Sequence, residues 1–159
     1  MVNQDPVATS RLIYGVLHKL GIPTVVNTAA GGLLALEDFA QNPLFHFVET
    51  IPYDWIMPRV YAVVHHGGSG TTHLSLKNGC ATLILPHILD QFAWNDLVSK
   101  KGAGPKGTAI SKLDDKKLSY LLNELMLRPD YKQRAKDLSI KMKQEKGGVS
   151  LLKFIVGKR

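Results

Sequence analysis

A doubly wound α/β domain, in which helices cover both faces of a parallel sheet, is the fold this sequence predicts. Three observations carry that expectation. Short, largely apolar runs at 22–27, 45–48, 60–65 and 81–85 read as strands buried on both faces rather than as alternating edge strands. Stretches of helical periodicity lie between them, as parallel crossovers require. Glycine-rich turns stand where strand runs hand over to helices, which in such folds is where ligands sit. The chain has 159 residues, enough for one domain with its own hydrophobic core. Residues 1–159 are accordingly read as a single domain whose helical, lysine-rich part begins near Leu113.

The elements follow in order. Asp5-Pro6 predicts a helix start, with Asp as N-cap and Pro at the first helical position, where its missing N–H costs nothing. Leu12, Ile13, Val16, Leu17 and Leu20 recur at helical spacing, and Gly21 closes the segment. A strand at 22–27 follows, then the Gly31-Gly32 break, a short helix at 33–40, and strands at 45–48 and 60–65. A helix is expected over 71–78, stopped by Gly79, and the strand at 81–85 ends at Pro86. Phe92, Ala93, Leu97 and Val98 mark a helix over 90–101 that ends at Gly102. Ala109-Ile110 reads as a last short strand, and helices are expected over 113–127, 130–145 and 149–156.

Composition narrows the function classes. Apolar residues make up 45% and charged residues 21%, a globular balance rather than a disordered one. No apolar run reaches the ~18 residues that a membrane-spanning helix needs, and the first residues lack the pattern of a signal peptide. The single cysteine, Cys80, excludes an intrachain disulfide framework and fits a reducing, cytoplasmic setting. Residues 1–99 carry a net charge of −3 and residues 100–159 a net charge of +10. Such a basic part could meet nucleic acid, anionic lipid at a membrane surface or an acidic partner surface, and its plainer reading is a solvated lysine-rich helical face. Neither aromatic RNA-binding motifs nor paired Cys/His finger spacings accompany it, so nucleic acid is not an expected partner.

Chemistry concentrates in His65-His66-Gly67-Gly68-Ser69-Gly70-Thr71-Thr72, between a strand and a helix. Three glycines in four positions let backbone approach a ligand closely. Free N–H groups at a helix start, aided by the helix dipole, form an anion site. Ser69, Thr71 and Thr72 add hydroxyl donors and His66 an imidazole N–H. The pattern lacks the Gly-Lys-Ser/Thr ending of a P-loop. The next turn, Pro86-His87-Ile88-Leu89-Asp90-Gln91, offers a carboxylate and an amide side by side, a set suited to neighbouring sugar hydroxyls. Asp90 is equally suited to capping the following helix.

Taken together, HHGGSGTT and, about twenty residues on, P-x-x-x-D-Q-x-x-W-N closely resemble the donor-binding half of family 1 glycosyltransferases of GT-B fold. The sterol and lipid glucosyltransferases and the antibiotic-type bacterial enzymes are most similar. Ile51-Pro52-Tyr53-Asp54-Trp55-Ile56-Met57-Pro58-Arg59 resembles the sterol enzymes before this strand, and Gly102-Ala103-Gly104-Pro105 resembles them after the donor helix. The resemblance runs from about residue 5 to 125 and implies a Rossmann-like, nucleotide-sugar-binding C-terminal half. It further implies that His66 meets the β-phosphate of a UDP-sugar, with Gly67, Gly68, Ser69, Gly70 and Thr71 around the diphosphate. Asp90 and Gln91 would hold the sugar, and Ile51 and Pro52 would lie against the uracil. Leu74 stands where plant-type members have a ribose-binding Glu, and Thr50 roughly where they have a base-stacking Trp, so those contacts are not carried over.

The resemblance implies an inverting transfer of a hexose, glucose from UDP-glucose, to a hydroxyl of a lipid or sterol-like acceptor. No metal or other cofactor is expected, because backbone donors, the helix dipole and His66 receive the charge that grows on the diphosphate. The catalytic base of such enzymes lies in an N-terminal acceptor domain, so no catalytic residue is assigned here, and that domain or a partner subunit is an expected partner. By itself this half would bind donor and turn over slowly or not at all. A sugar-nucleotide-binding module without catalysis is the alternative. The resemblance also places the start of these residues just after the fold's first, central strand. The strands at 22–27 and 60–65 would then flank a gap, and would either pair directly or receive a strand from another chain.

Other tempting residues have plainer readings. His66, His73 and Cys80 are seven apart and lack close metal-ligand spacing, so no metal site is expected. His65 ends a strand and packs beneath the loop, and Trp94 and Asp96 pack and orient. Cys80 reads as a small hydrophobe, and Gly31-Gly32 as a turn.

Overall fold

The computed structural model describes residues 5–29 and 32–145. The expected helix at 149–156 lies outside them, as do Ala30 and Gly31 of the early glycine turn. Helix α1 spans Pro6–Lys19, and the Asp5 carboxylate accepts the Ala8 N–H at 2.8 Å. Strand β1 (Thr24–Asn27), the short helix α2 (Glu37–Ala40) and strand β2 (Phe45–Val48) follow. After the single-turn helix α3 (Tyr53–Ile56) and a 3₁₀ turn come β3 (Ala62–His65), α4 (Ser69–Lys77), β4 (Ala81–Ile84) and α5 (Leu89–Lys100). Helices α6 (Asp115–Leu127) and α7 (Pro129–Gln144) complete the described residues.

Helices α1, α4 and α5 stop by one device. Gly21, Gly79 and Gly102 adopt φ of 65°, 69° and 67°, and the N–H of the next residue (Ile22, Cys80, Ala103) bonds back into the last turn. The stops of α1 and α4 therefore reverse the chain directly into the runs that form β1 and β4.

β1 pairs parallel with β2, Thr24 opposite Phe45, and β3 pairs parallel with β4, Ala62 opposite Ala81. The four strands expected at 22–27, 45–48, 60–65 and 81–85 are present, and β1 and β3 do not pair with each other, so of the two outcomes expected for the gap between them direct pairing is excluded. Among the described residues the sheet is two separate parallel pairs. Both pairs share one apolar core: Tyr14, Val16 and Leu17 of α1 and Leu118, Leu121, Leu122 and Leu125 of α6 join Val26, Phe45, Leu83 and Leu85. A second cluster on the other face of β4 unites Leu76, Ile84, Val98, Ala103 and Ala135. β4 is buried throughout, which is why its sequence is apolar at every position but Thr82.

The expected strand at 109–110 is absent; Ile110–Lys112 is a 3₁₀ turn. The far edge of β4 is covered instead by the 103–107 stretch, where the Ala103 carbonyl accepts the Thr82 N–H at 2.9 Å. The backbone there is too close for side chains: a Cβ on Gly104 would strike the Thr82 carbonyl, and one on Gly107 the Ile84 carbonyl. Ladder pairing cannot continue, because Pro105 has no N–H and the Asn95 amide takes both backbone groups of Gly107, each at 2.9 Å. Among the described residues no helix is long and apolar enough to cross a membrane.

Candidate functional site

β3 delivers His65 and His66 to its carboxyl end, and α4 begins only four residues after His65, at Ser69. That is two residues earlier than the sequence suggested, and it places Ser69, Gly70 and Thr71 in the first turn. Their N–H groups have no protein partner among the described residues, since Gly68 at the N-cap brings no side-chain oxygen. The turn depends on Gly67, whose φ of 97° excludes ordinary side chains and whose Cβ position lies 2.7 Å from Ile84 Cγ2 and 3.2 Å from Gln91 Cβ. Gly68 gives the His66 ring its place: His66 Nε2 lies 2.7 Å from where a Gly68 Cβ would stand, so the imidazole folds back over the start of α4. His66 is exposed and its ring nitrogens have no hydrogen-bond partner among the described residues.

His65 behaves differently. Its Nδ1 accepts the Gly67 N–H at 3.0 Å, which leaves the proton on Nε2, a buried atom with no partner. Burial, reinforced by the neighbouring His66, lowers its pKa to about 3. It is a fixed neutral ring that shapes the turn, as expected.

The Thr72 hydroxyl does not reach the site. Thr72 is fully buried, and its Oγ1 donates to the Gly68 carbonyl at 2.9 Å beside the Thr72 N–H on the same oxygen. Its position in the second turn points it into the protein, which corrects its listing among the hydroxyl donors.

At the next turn α5 starts at Leu89, with Ile88 at the N-cap, so Asp90 sits inside the first turn and makes no capping bond. Its carboxylate is exposed and has no partner among the described residues. Gln91 is 7% exposed, and its Oε1 accepts the N–H groups of His87 at 2.7 Å and Ile88 at 3.2 Å. That oxygen is therefore committed to the turn, and only the amide N–H₂ remains for a ligand. Contact of the Gly67 Cβ position with Gln91 packs the two turns together. The Ile51-Pro52 segment leaves the end of β2 and opens α3; Ile51 is half-buried, and its backbone N–H and C=O have no partner among the described residues. Leu74 and Thr50 take no hydrogen bond across the site.

Two residues escaped assignment from sequence. His87 was visible in its turn without a role, and its ring now stands 6.4 Å from that of His66. Asn95 closes the D-Q-x-x-W-N motif, which gave it no role of its own. Cys80 is fully buried; its thiol donates to the Met57 carbonyl and burial raises its pKa, so it is the small hydrophobe expected. Asp96 pairs with Lys106 at 2.7 Å, and Trp94 packs against the second core cluster. Among the described residues no three His, Cys, Asp or Glu side chains group as a metal site would need.

Known proteins match this chain over most of its length. A sterol 3-beta-glucosyltransferase of Arabidopsis thaliana is 38% identical over 143 residues, covering 90% of this chain and 23% of that protein. One of Candida albicans is 39% identical over 160 residues, covering 98% of this chain and 10% of the relative. The chain thus spans about a quarter or less of the relatives it matches. Among solved structures, a spinosyn forosaminyltransferase superposes with a TM-score of 0.78 at 18% identity, covering 97% of this chain and 39% of the other. A spinosyn rhamnosyltransferase complexed with thymidine diphosphate does so with a TM-score of 0.74 at 19% identity, covering 97% and 44%. At that identity the superpositions establish the fold, which is the Rossmann-like half of GT-B enzymes. Residues 21–147 match the family described as Erythromycin biosynthesis protein CIII-like, C-terminal domain. This chain therefore belongs to that family of glycosyltransferase C-terminal domains, with sterol glucosyltransferases among its relatives.

Proposed function

We propose that this chain is the donor-binding half of an inverting glycosyltransferase that moves a hexose, glucose from UDP-glucose, to a hydroxyl of a lipid or sterol-like acceptor. One observation carries the reading: the start of α4, uncapped and with His66 folded over it, packs through Gly67 and Gln91 against the turn that holds Asp90, whose exposed carboxylate has no partner among the described residues. The diphosphate sits on the N–H groups of Ser69, Gly70 and Thr71, where the helix dipole favours negative charge. His66 donates to the phosphate next to the sugar. Asp90 accepts from sugar hydroxyls, and the Gln91 N–H₂ donates to a neighbouring one. The unpartnered backbone of Ile51 takes the base, with Pro52 against its edge. The glucose and sterol parts of this reading rest on the names of the curated relatives.

In the transfer itself the acceptor oxygen attacks the anomeric carbon as the bond to the diphosphate breaks, and the leaving group gains charge. Donors already aimed at that position stabilise it without reorganising, so the reading assigns no metal. A base that removes the acceptor proton comes from an acceptor-binding domain or partner subunit, not from this site.

Calorimetric titration of UDP into the chain is the test. Binding in the micromolar range is expected, with His66→Ala weaker by about tenfold or more, the size of a hydrogen bond to a charged group. Equal affinity in the variant would remove the phosphate assignment.

A further inference from the structure

The His66 ring faces a second imidazole for which the proposed reading has no use. His87 leaves β4 one residue after Pro86, and its ring centroid lies 6.4 Å from that of His66, the planes at 85°. Neither ring has a hydrogen-bond partner among the described residues, and His87 is half-buried where His66 is exposed. The backbone beneath His87 is held, because its N–H donates to Gln91 Oε1 at 2.7 Å and that side chain is itself buried. His65, the third ring of the row at 6.2 Å from His66, is excluded by its bond to Gly67.

Resting on the nucleotide-sugar reading above, we propose that His87 is a second imidazole donor to the donor's diphosphate, closing on it from the α5 side while His66 closes from the α4 side. The two ring centres stand 6.4 Å apart, edge to face, with no hydrogen bond between them, so one ligand at the two turns can lie within reach of both rings. Among the described residues no carboxylate is hydrogen-bonded to either ring, so both keep their N–H groups for an outside acceptor. Burial, and then the charge of the facing His66, pushes His87 below the usual imidazole range. An anion within reach of both rings offsets the repulsion from His66, which ties the pair to a negatively charged ligand.

The experiment titrates UDP, TDP and the neutral nucleoside uridine into the whole chain and its His66→Ala, His87→Ala and His87→Asn variants. Expected are a loss of about tenfold in UDP affinity for His87→Ala, a smaller loss for His87→Asn, which keeps one N–H donor, and unchanged uridine binding. A His87→Ala protein that binds UDP as the wild type does, while His66→Ala is weakened, overturns the His87 assignment and leaves the site standing. Equal losses for UDP and uridine also overturn it, since they mark a structural role. A wild-type chain that binds neither UDP nor TDP overturns the nucleotide reading, and His87 falls with it. If His87→Ala does not fold, the His87→Asn comparison decides alone.

Discussion

His65 illustrates how one buried ring shapes a turn and leaves a pH signature. It is held neutral down to about pH 3 in the folded chain, whereas in the unfolded chain it takes a proton below about 6.5. Between those values the unfolded state binds more protons, so stability rises with pH and is progressively lost as pH falls from about 6.5 toward 3. The loss expected is a few kcal/mol at most. A His65→Asn protein, whose amide oxygen still accepts the Gly67 N–H, should show a flatter decline of melting temperature over that window than the wild type. His66 and His65 are adjacent in sequence with opposite fates. Alternation along β3 says only that they face opposite ways, and it takes the packed turn to say which one meets solvent.

Helix α5 shows where pattern reading at the element scale succeeds and where it misleads. The sequence placed Phe92 and Leu97 on its apolar face, yet they are 44% and 39% exposed. The face turned inward runs through Gln91, Asn95 and Val98, at the i, i+4, i+7 spacing of a helix stripe. Two amides occupy that stripe because each satisfies loop backbone that would otherwise be buried without partners: Gln91 the turn at His87, Asn95 the stretch at Gly107. Replacing Asn95 by Ala strips both groups of Gly107 of their partners, and a loss of about 2–4 kcal/mol is expected in urea unfolding. The helix ends marked by a capping Asp or a closing glycine, by contrast, were legible almost to the residue, whereas the starts of α2, α4 and α6 were missed by two to four residues. Asp5, Gly21, Gly79 and Gly102 act through local backbone bonds that involve no distant part of the chain.

At the scale of the whole molecule the feature of most consequence is the break, among the described residues, between the two parallel pairs. On β1, Thr24 and Thr28 direct their N–H groups to β2, so the alternating residues Val25 and Asn27 turn theirs to the open edge. On β3, Tyr61 and His65 direct their carbonyls to β4, so Ala62 and Val64 face the open edge there. Val25 and Val64 are 41% and 42% exposed, unusual for strands of a sheet with helices on its faces. Hydrogen exchange should therefore be fast at the amides of Val25, Asn27, Ala62 and Val64 and slow at Val26 and Val63, which bond within their pairs. Slow exchange at the first four would show the edges occupied in solution.

The sequence by itself determined the class of fold, the order of the four strands and the helices between them, and the two turns of the candidate site. Each of these is written in local terms: apolar runs, helix caps, and glycines where backbone must come close or turn left-handed. Tertiary structure alone decided that Thr72 looks inward, that the oxygen of Gln91 serves the chain, that Asn95 displaces a strand at 109–110, and that His87 faces His66. Those outcomes depend on which backbone groups a neighbouring segment leaves unpaired, and no stretch of sequence carries that information about another.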